Sequence, residues 1–105
     1  MAMSVEDEIR QKSSEIEALR ARTGALSLRA YVHRPKFGNA EPVFVADIDV
    51  SRLNGYADRF FDLMFGLQRI FARPVDLVEA PMFHEVETRC GVLEPVSMDV
   101  LRATA

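Results

Sequence analysis

The chain is short of sulfur cross-links, long apolar runs and excess positive charge. One cysteine, Cys90, is present among 105 residues. A lone cysteine excludes an internal disulfide framework and fits a reducing compartment. No apolar stretch is long enough to span a bilayer, and no secretory leader pattern opens the chain. The expected location is therefore the cytoplasm. Thirteen basic residues are interleaved with 16 acids, for a net charge of −3. That distribution lacks the basic stripe of a nucleic-acid binder. Internal repeats and low-complexity tracts are also missing. What remains is a chain with 49% hydrophobic residues, enough for one core in a single domain over residues 1–105.

The apolar spacing divides the chain into elements. Residues 4–23 predict a helix, with Ser4 as a cap, Glu6 and Asp7 in the first turn, and Gly24 as a stop. Ile9, Ile16 and Leu19 form its narrow apolar stripe. Residues 26–33 alternate as a half-buried strand does, and Pro35 ends them. Gly38-Asn39 marks a loop, and 41–50 read as a second strand. Residues 56–72 give the clearest helix, on Phe60, Leu63, Met64, Leu67 and Phe71, with Phe61 and Ile70 widening the stripe. The aromatics Phe60, Phe61 and Phe71 are expected in the core. Pro74 opens a third strand over 74–79. Residues 80–90 form a short helix with Pro81 in its first turn, and 92–96 form an edge strand or an extended tail.

The order α-β-β-α-β-α implies an α+β fold. The link at 35–40 is too short for a parallel crossover, so the first two strands pair antiparallel. Helix 56–72 is long enough to cross to a parallel third strand. The expected result is a small mixed sheet with helices mainly on one face.

Three acids stand out on these strands. Residues two apart in a strand share a face, which puts Asp47 and Asp49 beside each other with Val43 and Val45. Asp76 lies between apolar neighbours on the third strand. Acids in such settings are costly unless paired, hydrogen-bonded or bound to metal. Converging on the helix-free face, the three would make an oxygen-rich site suited to Mg²⁺. The plainer reading is an edge strand with solvated acids that discourage aggregation.

The strings Ala46-Asp-Ile-Asp-Val50 and Ile70-Phe-Ala-Arg-Pro-Val-Asp-Leu-Val78, separated by an amphipathic helix, resemble those of the minimal nucleotidyltransferases. These are small members of the polymerase-β-like nucleotidyltransferase superfamily. The family has Ser-Asp-Ile-Asp-Leu at the first string and Gly-Arg-(Lys or Pro)-Val-Asp-Leu-Val at the second. The resemblance covers about residues 15–97 and implies a nucleotidyltransferase-like fold. It assigns Asp47, Asp49 and Asp76 as Mg²⁺ ligands, with Asp76 also able to activate an attacking hydroxyl. It implies transfer of AMP from ATP to a protein hydroxyl, and a helical HEPN-type partner for which the chain would be the antitoxin. A homo-oligomer is the other assembly considered.

One departure is specific. The family places Gly-Ser about ten residues before its first acid, to hold the triphosphate. Here that place falls at His33-Arg-Pro-Lys36, where Pro35 lacks the N–H that a phosphate cradle uses. Arg34 and Lys36 are the residues that would grip phosphates instead. The departure points to impaired catalysis. The alternative is a catalytically silent protein-interaction module of the same fold.

Overall fold

The computed structural model describes residues 4–48, 55–90 and 93–96. Helix α1 spans Val5–Gln11 and α2 spans Ser13–Thr23. The strands β1, Ser27–His33, and β2, Glu41–Asp47, follow. Then come α3, Tyr56–Phe71, and β3, Asp76–Glu79. A 3₁₀ turn at Ala80–Met82 leads into α4, Phe83–Cys90, and β4, Glu94–Val96. The α+β class and the mixed sheet are as expected from the sequence. The element order is not: the first helix is two helices, and a fourth strand joins the sheet.

The N-terminal helix starts where its cap predicts. The Ser4 hydroxyl accepts the Asp7 N–H at 3.2 Å, and three acids fill the first turn. It breaks at Lys12, whose φ of −99° and ψ of 11° leave the helical region. Neither glycine nor proline marks the break. The following Ser13 and Ser14 are weak helix formers that resist it little. The break lets α1 lie across the sheet while α2 packs against α3. Gly24 ends α2 in the left-handed region, with φ of 76°. Its N–H, the Ala25 N–H and the Thr23 hydroxyl together cover the carbonyls of Leu19, Arg20 and Ala21.

The sheet order is β3-β2-β1-β4. Strands β1 and β2 pair antiparallel, with Leu28 opposite Ala46 and Ala30 opposite Phe44. Strand β4 adds antiparallel to β1, and β3 lies parallel to β2 after the α3 crossover. The larger core sits between the sheet and the layer formed by α1, α2 and α3. Phe44 is fully buried there, packed with Leu63, Leu67 and Phe71, and the Phe44 and Phe71 rings are 5.6 Å apart. Each such side chain removed from water contributes roughly 1.5–3 kcal/mol.

The opposite sheet face is not free of helices. A second, smaller cluster of Tyr31, Val43, Val45 and Leu93 lies there beneath Phe83 and Val86 of α4. Tyr31 and Phe83 bring their rings to 4.8 Å. The sequence expectation of a bare acid-bearing face is corrected accordingly.

Helix α3 contains one glycine with a packing reason. A Cβ on Gly66 would lie 2.5 Å from Leu19 Cδ1 and 2.8 Å from Cδ2. Its absence allows α2 and α3 to approach closely. At the end of α3, Ala72 takes φ of 55°, a left-handed conformation that costs a non-glycine residue on the order of 1 kcal/mol.

Candidate functional site

Asp47, Asp49 and Asp76 are the candidate metal site that the sequence suggests. Asp76 is the Cα partner of Val43, so it shares a face with Val43, Val45 and Asp47. The parity expected for Asp47 and Asp76 therefore holds, but their convergence does not. Asp47 lies four residues beyond Val43 on β2, which is about 13 Å along the strand. The cause is the parallel register: β3 begins where β2 begins, whereas Asp47 stands at the end of β2. A cation held by direct carboxylate bonds of 2–2.6 Å cannot be shared across that distance. Asp49 lies outside the described residues. Asp47 and Asp76 are both exposed, and neither carboxylate has a partner among the described residues. No group of three histidines, cysteines, aspartates or glutamates among those residues is placed to hold a metal ion. Asp76 thus does not fit an Mg²⁺ site with Asp47.

The expected phosphate-gripping pair is also displaced. Arg34 and Lys36 follow β1, whose His33 faces Glu41 at the start of β2. That is the end of the sheet far from Asp47. The Arg34 guanidinium bridges Glu6 of α1 and Glu94 of β4, the latter at 3.2 Å. It ties two elements together rather than waiting for an anion. The Lys36 ammonium lies 5.9 Å from the Phe37 ring centre.

Cavities flank these elements. One, about 240 Å³, lies between β3 and α4. His33 and Asp76 stand on its wall, with Val43, Val86 and Leu93 as its apolar lining. It is a packing gap of the small core, with two polar residues at its rim.

The larger cleft, about 670 Å³, opens between α2 and α3 on the other side of the molecule. Arg22 and Gly24 come from the end of α2. Arg59, Asp62, Gly66 and Arg69 come from α3, at steps of three, four and three, which place them along one helix face. Phe65 stands at the edge, 55% exposed, and stacks on Phe61, 48% exposed, with ring centres 6.2 Å apart. Phe60 meets Phe61 edge-on at 5.9 Å. Phe60 and Phe71 are inward, as the sequence predicts, whereas Phe61 is not in the core. A second depression of about 270 Å³ shares Arg22, Gly66 and Arg69 with the cleft and prolongs it toward Glu15.

The cleft arginines differ from their neighbours. Arg10, Arg20, Arg34 and Arg73 each pair with a carboxylate, at 3.4 Å for Asp7, 2.7 Å for Glu17 and 3.1 Å for Arg73 with Glu8. The pairing with Glu17 raises the Arg20 pKa above its ordinary value, first through the hydrogen bond and then through charge. Arg22, Arg59 and Arg69 make no ion pair among the described residues. Sequence reasoning missed this cleft. Its signals were the 59-62-66-69 spacing and a glycine in mid-helix.

A last polar contact lies where α3 begins. Tyr56 faces Glu79 at the end of β3. Burial, then the neighbouring Glu79 carboxylate as acceptor and as charge, push the Tyr56 pKa up to about 12.

Among the described residues no helix is long and apolar enough to cross a membrane. Set against family models, curated proteins and solved structures, the chain matches none of them.

Proposed function

We propose that this chain is a catalytically silent interaction module built on a nucleotidyltransferase-like plan. The observation that carries the reading is the separation of Asp47 and Asp76 by four residues of strand. In-line nucleotidyl transfer needs acids that clamp metal ions at both the attacking and the leaving oxygen. Two carboxylates on strand positions about 13 Å apart do not form such a clamp. The engagement of Arg34 with Glu6 and Glu94 further supports it, because the loop then has one cation fewer for a triphosphate.

The link to the family rests on the strings around Asp47 and Asp76. Ala72 adds to it, since the resembled string has glycine there and the backbone takes the conformation glycine favours. Under this reading the chain acts by contact with another protein, for which a helical HEPN-type protein is the candidate. The exposed Phe61–Phe65 pair and the arginines beside it are the contact surface. Aromatic residues and arginine are the types that most often dominate protein interfaces.

Titration calorimetry with Mg-ATP tests the reading. The expected outcome is no binding heat. Micromolar binding that disappears in a variant carrying Asp47→Asn with Asp49→Asn would restore the enzyme reading, with Mg²⁺-dependent AMP transfer as its chemistry.

A further inference from the structure

We infer that the α2–α3 cleft is the docking groove for an acidic peptide segment of a partner protein, one that carries an apolar anchor among its carboxylates. This inference rests on the interaction-module reading and names the chemistry of the partner.

Charge complementarity selects the acidic character. Three guanidiniums line the groove against two carboxylates, Asp62 in the cleft and Glu15 in the second depression. Arg10, Arg20, Arg34 and Arg73 are already held by acids, whereas the three cleft arginines, like Arg29 and Arg89, make no ion pair among the described residues. Guanidinium forks match carboxylates with two parallel hydrogen bonds. The end of α2 would ordinarily repel an anion through its bare carbonyls. Here those of Arg20 and Ala21 are covered by the Gly24 and Ala25 N–H groups, which lessens that repulsion.

Shape and apolar surface select a peptide segment over a small anion. The two depressions join through Arg22, Gly66 and Arg69, so the groove is elongated. Leu19 and Ile70 line its second part. Phe65 and Phe61 offer a half-exposed aromatic surface at the side of the first. An anchor laid on these rings sets its neighbouring carboxylates over Arg59 and Arg69. Net charge disfavours a nucleic acid, because the chain carries −3 overall and only three of its eleven arginines line this groove.

Fluorescence anisotropy provides the test. The probe is a short labelled peptide of glutamates interrupted by phenylalanines, and its twin has glutamine in place of each glutamate. The expected result is binding of the acidic probe that weakens with salt, with little binding of the twin. Arg59→Ala with Arg69→Ala is expected to weaken the acidic probe by about ten-fold or more, with circular dichroism confirming that the fold is kept. Arg59→Lys with Arg69→Lys is expected to fall between, because charge remains while the fork is lost. The inference is overturned if the acidic probe does not bind at about 1 mM, the level of a ~4 kcal/mol contact. It is equally overturned if the alanine variant binds like the native chain. Preferential binding of a deoxythymidylate oligomer through the same arginines would make the groove a nucleic-acid site. A concentration-dependent dimer lost in the alanine variant would make a second copy the occupant. Either result overturns the inference. The Mg-ATP titration judges the underlying reading separately, since Asp47→Asn with Asp49→Asn leaves the groove unchanged.

Discussion

The two faces of the sheet are built to different standards. One meets three helices over a cluster that includes Phe44, Val32, Leu63 and Leu67, all fully buried or nearly so. The other holds a small cluster around Tyr31, Val43 and Val45 beneath one short helix, with Asp47 and Asp76 exposed at its two ends. Close packing in the first leaves little room for change, while the second tolerates charge because water reaches its ends. The difference explains how acids can stand on apolar strands. They are at the margins of the smaller core, not inside the larger one.

The sharpest way to break this comparison is to remove one large side chain from each face. Phe44→Ala is expected to destabilise the fold by about 3–5 kcal/mol. Leu93→Ala, in the smaller cluster, is expected near the low end of the leucine range, about 2 kcal/mol. Urea unfolding measures both, and equal losses would mean the faces contribute alike.

Next in size is the helix layer over the large core. Gly66→Ala drives a Cβ into Leu19, which is buried and has little space to move. Overpacking costs about 1–3 kcal/mol, and the better helix propensity of alanine returns about 1. A net loss of about 1 kcal/mol is expected. In a Leu19→Ala background the same substitution is expected to be neutral or stabilising, so the double-mutant cycle isolates the contact.

A comparable effect of opposite sign is expected at Ala72. Glycine takes its left-handed backbone without strain, so Ala72→Gly is expected to raise stability by about 0.5–1 kcal/mol. A lower midpoint in urea would show that the conformation is not the strained one.

The Tyr56–Glu79 contact tests the seam between helix and sheet by pH. The Tyr56 pKa is raised to about 12 from an ordinary 10. A raised value means that the contribution to stability is fully present below pH 10 and is lost as pH climbs to 12. Absorbance at the phenolate band is expected to show one tyrosine titrating near 12. Glu79→Gln is expected to bring it down, because it removes the carboxylate charge and weakens the acceptor.

The smallest effect belongs to the acid face. Asp47→Asn with Asp76→Asn is expected to change stability by less than about 0.5 kcal/mol, since both are exposed and without partners among the described residues. A larger loss would reveal a contact that the comparison between faces leaves out.

Much of the fold was legible in local patterns. The alternation in 26–33 and the spacing of Phe60, Leu63, Leu67 and Phe71 reflect one-sided burial, and burial is what the sheet and α3 achieve. The turn at Lys12 left no mark, because serines permit a break without demanding it. The register of β3 was also hidden. A parallel strand is placed by how its crossover helix packs, so the rung occupied by Asp76 depends on α3, not on the Val-Asp-Leu-Val string. Phe61 misled for a related reason: the apolar stripe of α3 is wider than the face it buries. The arginine cleft arises only when Gly66 brings α2 against α3, a long-range event that neither helix announces alone.

The edges of the sheet limit how this molecule can assemble. Strand β3 is four residues long and begins and ends with acids, and β4 is three residues long and contains Pro95 beside Glu94. Short, charged or proline-bearing edges are poor templates for another strand. Concentrated solutions should therefore resist fibril growth by strand addition. Strand addition at these edges is thus a disfavoured mode of assembly, in keeping with a contact surface proposed on α2 and α3 rather than along the sheet.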